Sequence, residues 1–333
     1  MPRILLLHTN RAYAETLAAA VTENFPSFEV DVVSRVSVWD RIRALVRADY
    51  DLVQADELMV NGVLAAGGSL LRRVPLIVAI RGWADYTNAH GQYGLFKQTT
   101  ISARTRLVLG KADEVIFLSE TTRERFREIF PIGRSSIVGR PIDTDRFDDG
   151  KQIERPTFDL LTVTNLRYER KYDGIITILE ALDPLFAAHS KLRLRIAGDG
   201  RYLPELERYL ERYAHPDRVD ALGFVDDVED EFASADAFVY VSFLDAYPTV
   251  VLEAQAAGLP VIGGDAVGIP AVVGEAGEIV DPDPTGVRAA LEQVYLDEEY
   301  RKNLAEDSLE KMKTYNEECA AGHVEVWNRA ISD

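Results

Sequence analysis

The chain of 333 residues is longer than one hydrophobic core usually sustains, and its 47% apolar content is enough for two. A formal net charge of −18 argues against nucleic acid as a partner, because affinity for phosphate backbones comes mainly from neutralising Lys and Arg. Apolar runs such as 74–80 and 235–241 are about seven residues long, far short of the roughly 20 needed to cross a bilayer.

In chain order, the first half opens with a strand over 4–7, a helix over 13–21 and a strand over 29–33. Strands over 52–54, 76–80 and 114–118 follow, and Ser119 is placed to cap a helix running to about 129, its hydroxyl accepting from an orphan amide. Residues 137–155, rich in Pro, Asp and Gly, read as an inter-domain connection. The second half restarts the pattern with a strand over 160–164, a helix over 174–189 and a strand over 192–197, then strands over 237–241 and 261–263 separated by helices. Short β-branched and leucine-rich runs alternating with helices predict parallel sheets covered by helices. Two such arrays in series predict two doubly wound domains, with ligands in the cleft at strand carboxyl ends. Charge divides along the same line: residues 1–157 carry 21 Lys and Arg against 20 Asp and Glu, and residues 158–333 carry 16 against 35.

The most informative stretch runs from Ser242 to Ile262. A strand ends near Val241, a loop carries Asp245, and a helix opens at Pro248 or Thr249 and stops at Gly258. The helix start, Tyr247-Pro248-Thr249-Val250, offers free amides and the positive end of a dipole to a diphosphate. Glu253 follows one turn later on the same face, where a carboxylate can accept both ribose hydroxyls. Asp245 can hold sugar hydroxyls on the other side of the phosphates. Alone, Gly198-Asp199-Gly200 reads equally as a tight turn or a ligand loop.

Here the chain resembles the retaining glycosyltransferases of family 4, which carry a Glu-x7-Glu motif before a helix ending in Gly-x-Pro-Val-Ile; the counterpart is Glu253, then Gly258-Leu259-Pro260-Val261-Ile262. The resemblance implies an α/β GT-B fold, two doubly wound Rossmann-like domains facing a central cleft. Residues 1–157 would form the acceptor side and 158–333 the nucleotide-sugar donor side, with a last helix able to pack back on the first domain. It also implies that the first acid contacts the transferred sugar and the second the ribose, roles that fall on Asp245 and Glu253. Asp245 departs from the family glutamate, keeping charge and spacing on a shorter side chain. In the family's diphosphate loop Asn165 stands where an arginine belongs, strict counting puts the lysine position on Arg170, Lys171 keeps the residue type one position later, and Arg167 can replace the lost arginine. A cation there would offset charge developing on the departing diphosphate. Leu194 to Gly200 corresponds to the family's strand and Gly-Asp-Gly turn, and so brings Gly198 and Gly200 to the donor side.

The first half departs further. His8-Thr9-Asn10-Arg11 stands in place of a Gly-Gly loop, and Arg81-Gly82 in place of His-Gly. Arginine stays protonated and cannot be a base; Arg81 can clamp a phosphate or an acceptor carboxylate, or form a surface ion pair. Among the five histidines (8, 90, 189, 215 and 323) no metal-ligand spacing occurs, and Cys319 has no disulfide partner. No Gly-x-Gly-x-x-Gly, Gly-Lys-Ser/Thr or Gly-x-Ser-x-Gly motif competes. The expectation is therefore a retaining transferase moving a sugar from a nucleotide diphosphate sugar to a glycan, lipid-linked or small-molecule acceptor, with no metal and no cofactor beyond the donor. The rivals are a nucleotide-sugar epimerase on the same fold and a non-catalytic nucleotide-sugar sensor. The opening residues lack the apolar core of a signal peptide, so a cytoplasmic location is expected. Arg72, Arg73, Lys97, Arg104 and Arg106, with Leu95, Phe96, Ile101 and Leu107, form either a peripheral footing on an anionic membrane or ordinary solvated helix charges. His90, in the loop 83–94, is a further candidate for the cleft.

Overall fold

The computed structural model describes residues 1–82, 95–147 and 155–333, without the side chains of 95–99; His90, Leu95, Phe96 and Lys97 thus fall outside the described residues or side chains. The chain divides into two compact units, Met1–Ile142 with Thr314–Asp333, and Asp143–Lys313.

In the first unit β1 (Arg3–His8), β2 (Glu29–Ser34), β3 (Leu52–Ala55), β4 (Leu76–Ile80), β5 (Glu114–Phe117) and β6 (Ser135–Ile137) form a parallel sheet in the order β2-β1-β3-β4-β5-β6. Its central strands are mainly apolar because helices cover both faces. Alternate residues Leu5, Leu7, Val53 and Val78 pack with Leu45, Ala65 and Val108 from the helices Val38–Arg47, Val60–Arg72 and Leu95–Leu109. Their neighbours Ile4, Leu6 and Ile77 pack on the opposite face with Leu17 and Val21 of the helix Arg11–Asn24. Ala320, Val324 and Trp327 complete that second core. They lie at i, i+4 and i+7 of the long final helix, Glu298–Ser332, and so form one apolar stripe. The indole of Trp327 donates to Gln54 Oε1 at 2.7 Å. This stripe is why the carboxyl-terminal part of the last helix belongs to the first unit, while the other contact boundary lies at 142/143 and not at the expected 157/158.

The second unit contains β7 (Phe158–Val163), β8 (Leu192–Ala197), β9 (Val219–Gly223), β10 (Ala237–Tyr240), β11 (Val261–Gly264) and β12 (Glu278–Val280), all parallel, in the order β12-β11-β10-β7-β8-β9. The chain runs outward from β7 to β9 and then returns to β10 on the other side of β7. That reversal opens a crevice at the carboxyl ends of β7 and β10. The matching reversal in the first unit lies between β1 and β3.

Two local expectations are corrected. The helix predicted over 174–189 begins five residues earlier, as Glu169–Ala188, because Glu169 in the first turn suits the helix dipole; Lys171 is therefore helical and not in a loop. Of the residues chosen for a basic membrane footing, Ile101 is buried. Arg104 turns in to Met59 Sδ at 2.7 Å, Arg106 donates to the Ile129 carbonyl at 3.2 Å, and Arg72 donates to the Ala48 carbonyl. Leu107 remains exposed, and among the described residues at the carboxyl end of this sheet the largest exposed apolar side chain is Trp39, at 76%. No helix among the described residues is long and apolar enough to cross a membrane.

Candidate active site

At the β7/β10 reversal two loops are tied together by their backbones. The Phe243 amide donates to the Arg170 carbonyl at 3.3 Å, and the Gly268 amide donates to the Asp245 carbonyl at 3.0 Å. Gly174 lies so close to the end of β10 that a Cβ there would meet the Val241 oxygen at 1.9 Å. This contact seats the start of the helix Glu169–Ala188 over the strand end. Lys171 and Asp245, far apart in sequence, thereby meet: Lys171 Nζ lies 2.9 Å from Asp245 Oδ1. Lys171 is only 6% exposed and sits in the first turn of its helix, where the dipole disfavours a cation. A buried ion pair adds little net stability over an apolar replacement.

The other Asp245 oxygen accepts from the Tyr240 hydroxyl at 2.6 Å. Burial, then the charge of Asp245, pushes the Tyr240 phenol well above its ordinary pKa, so it remains a protonated donor. Asp245 is thus fixed at both oxygens, and its side chain stays 20% exposed. Arg170, the strict-count alternative, is exposed and its Nη1 reaches the Phe243 carbonyl at 3.4 Å. Arg167 and Asn165 are also exposed.

The helix Thr249–Ala256 opens beside Asp245 with Pro248 as its N-cap and no side chain capping its first amides. Tyr247 and Glu253 are half-buried, as are Thr249 and Val250, and Pro248 is buried. Gly198 and Gly200 pack directly against the loop 164–167. Their φ values of 148° and 157° favour glycine, and Cβ atoms would meet Thr164 O at 1.7 Å and the Leu166 carbonyl carbon at 2.3 Å. They press the loop 164–167 into place, with the Leu166 amide donating to the Asp199 carbonyl at 3.0 Å.

At the β1/β3 reversal, Arg81 does not stand free. Its guanidinium is paired with Asp56, whose side chain is fully buried, and its Cζ lies 3.9 Å from the Tyr13 ring centroid. Arg140 Cζ lies 4.0 Å from the same centroid. Asp56 also accepts from Gln54 Nε2 at 3.0 Å, and His8 Nε2 lies 3.2 Å from its Oδ2. His8 Nδ1 accepts the Asn10 amide at 2.6 Å, so the imidazole is a buried neutral group. Burial first, against Asp56 and with Arg81 and Arg140, lowers its pKa to about 3.

Two family descriptions match the chain: Glycosyl transferases group 1 over residues 157–297, and Glycosyl transferase 4-like domain over residues 8–139. The chain belongs to the group 1 glycosyltransferases. This group 1 chain is 29% identical over 173 residues to the phosphatidylinositol N-acetylglucosaminyltransferase gpi3 subunit of Schizosaccharomyces pombe, covering 50% of this chain and 37% of that one. It is 28% identical over 156 residues to N-acetyl-alpha-D-glucosaminyl L-malate synthase of Bacillus anthracis, covering 46% and 40%. The chain thus spans well under two thirds of the length of the curated relatives it matches. Its fold is GT-B, with a TM-score of 0.71 to Anabaena HepE in complex with UDP-glucose, at 17% identity over 100% of this chain and 98% of that one. Sucrose-phosphate synthase from Thermosynechococcus elongatus aligns with a TM-score of 0.72 at 15% identity, covering 100% of both chains.

Within this group 1 chain, reasoning from the sequence missed Tyr240 and the Asp56 cluster. A tyrosine ending the apolar run Ala237-Phe238-Val239-Tyr240 was the available signal, because a buried phenol needs a partner. Asp56, directly after a strand end, was the other.

Proposed function

We propose that this chain transfers a glycosyl unit from a nucleotide diphosphate sugar to an acceptor hydroxyl, with retention at the anomeric carbon. The observation that carries this is the buried Lys171 ammonium beside Asp245 at the second-unit switch point. The bond from the anomeric carbon to the phosphate oxygen breaks, and its electron pair stays on the diphosphate. Lys171 and the uncapped amides of Thr249 and Val250 offset that charge. The acceptor oxygen bonds on the same face and gives its proton to the leaving phosphate oxygen. Asp245 holds sugar hydroxyls, Glu253 holds the ribose, and no cofactor beyond the donor takes part. HepE was complexed with UDP-glucose, so uridine diphosphate sugars are the first donors to test. The names of the two relatives carry L-malate and phosphatidylinositol, which head the acceptor panel.

Glu253→Gln should weaken donor binding by about 1 to 3 kcal/mol, because the amide matches two ribose hydroxyls poorly. Asp245→Asn should lower turnover more than donor affinity. Calorimetric donor titration beside product release distinguishes the two, and wild-type behaviour of both variants would remove the assignment.

Peripheral contact with an anionic membrane belongs to the same proposal and rests on the first unit. Val36, Val38 and Trp39 follow the carboxyl end of β2 at 39%, 47% and 76% exposure, and Val60 opens the next helix. Arg41 donates to Asn61 at 2.7 Å and joins these two helices, while Arg35 and Arg43, the latter paired with Asp40 at 3.1 Å, are exposed beside the apolar edge. Each such cation adds about 1 kcal/mol near an anionic leaflet and is screened by salt. Co-sedimentation with phosphatidylglycerol vesicles should therefore occur at low salt, fall at high salt, and fall about tenfold in Trp39→Ala. Absence of sedimentation at low salt, or an unaffected Trp39→Ala variant, would leave a soluble acceptor as the better reading.

A further inference from the structure

The helix Glu169–Ala188 carries more than Lys171. Tyr172, Glu180 and Asp183 face Glu205, Tyr209 and Tyr213, from the helix Leu203–Leu210 and the turn after it, across an open groove of about 670 Å3. The floor is aromatic. Tyr209 and Tyr213 stack with ring centroids 6.0 Å apart and planes 29° apart, and Tyr172 stacks on Tyr202 at 5.7 Å and 24°. The Tyr213 hydroxyl donates to the Leu179 carbonyl at 2.7 Å, which locks that ring against the helix. The rim carries the acceptors Glu180, Asp183 and Glu205 beside Arg208 and Arg212. Glu205 is paired with Arg208 at 3.0 Å, whereas among the described residues no ion pair reaches Glu180 or Asp183.

We infer that this groove binds a neutral oligosaccharide, as a glycan subsite separate from the donor crevice. A pyranose presents a C–H face that packs on a tyrosine ring and an edge of hydroxyls that donate to carboxylates. Half-buried tyrosines beneath Glu180 and Asp183 supply both. The carboxylates repel an anionic ligand, and Arg208 and Arg212 at the rim oppose a strongly cationic one. From Tyr172 to Asp183 the helix runs about 16 Å, enough for several linked sugars. The near end of the groove is Tyr172, the residue after Lys171, so one rigid helix carries both the groove and the lysine of the donor crevice. The inference goes beyond the transfer proposal, because the groove binds glycan whether or not a donor turns over.

Affinity electrophoresis of the full chain through native gels containing dextran, glycogen or glucomannan tests it. At least one of these neutral polysaccharides should retard the protein, with apparent affinity falling about tenfold in Tyr209→Ala. Glu180→Gln, at an exposed position that does not endanger folding, should weaken retardation as well, while nucleoside diphosphate release from a donor stays at the wild-type rate. No retardation by any of the three, or retardation unchanged in both variants, would overturn the inference. So would saturable binding of a proline-rich peptide in the groove with no polysaccharide binding. Retardation without any donor turnover would count against the transfer proposal alone.

Discussion

Replacing Lys171 by alanine is expected to lower donor turnover by roughly two to three powers of ten, the usual cost of removing one preorganised charge from a leaving group. The buried ammonium sits at a helix start that repels it, and its visible partner is Asp245 Oδ1 at 2.9 Å. Under the proposed transfer, a donor diphosphate would share that ammonium with Asp245. Breaking a buried pair also leaves the surviving carboxylate poorly compensated, at about 3 to 5 kcal/mol. Tyr240 and partial exposure soften that cost for Asp245. Thermal melts of Lys171→Ala, Asp245→Asn and the double variant separate the two effects. If the double variant regains stability while its turnover stays far below that of Asp245→Asn alone, Lys171 acts on the reaction. Normal turnover in Lys171→Ala with harm confined to Arg170→Ala would instead favour the strict spacing.

Acid should destabilise the first unit well before general acid denaturation. His8 is 1% exposed, and its pKa is lowered from 6.5 to about 3 in the folded state. Between those values the unfolded chain binds a proton that the folded one refuses, so stability is complete above pH 6.5 and drains away as pH falls toward 3. The whole effect is on the order of 5 kcal/mol. The described tryptophans, Trp39 and Trp327, lie in the first unit, so their fluorescence during urea unfolding reports on that unit. The urea midpoint should fall steeply below pH 6.5 in the wild type and more gently in His8→Gln, whatever the variant's absolute stability. Equal slopes in the two proteins would show that His8 is not the titrating group.

The strands were legible because most central strands are buried on both faces and read as continuous apolar runs. Ser119 was legible as a cap, and its hydroxyl does accept the Thr122 amide at 3.3 Å. The polar run Glu169-Arg170-Lys171 hid a helix start, since its charges look like a loop until Glu169 is counted as a first-turn acid. Lys171 and Asp245 could be named from the sequence, but their contact depends on Gly174 lying against Val241, which no spacing reveals. Arg81 was visible only as a cation after a strand; its fully buried partner Asp56 comes from a neighbouring strand end. The packing of the last helix on the first unit was legible only through the family resemblance, because an apolar stripe at Ala320, Val324 and Trp327 does not say which sheet it covers.

The most direct test of the account is calorimetric titration of the full chain with UDP and UDP-glucose, in the wild type and in Lys171→Ala. The account predicts saturable binding of a nucleotide diphosphate or its sugar by the wild type, weakened at least tenfold, or about 1.4 kcal/mol, in the variant. Binding of equal strength in both proteins, or no binding of UDP, UDP-glucose or any other nucleotide diphosphate sugar by the wild type, would contradict it.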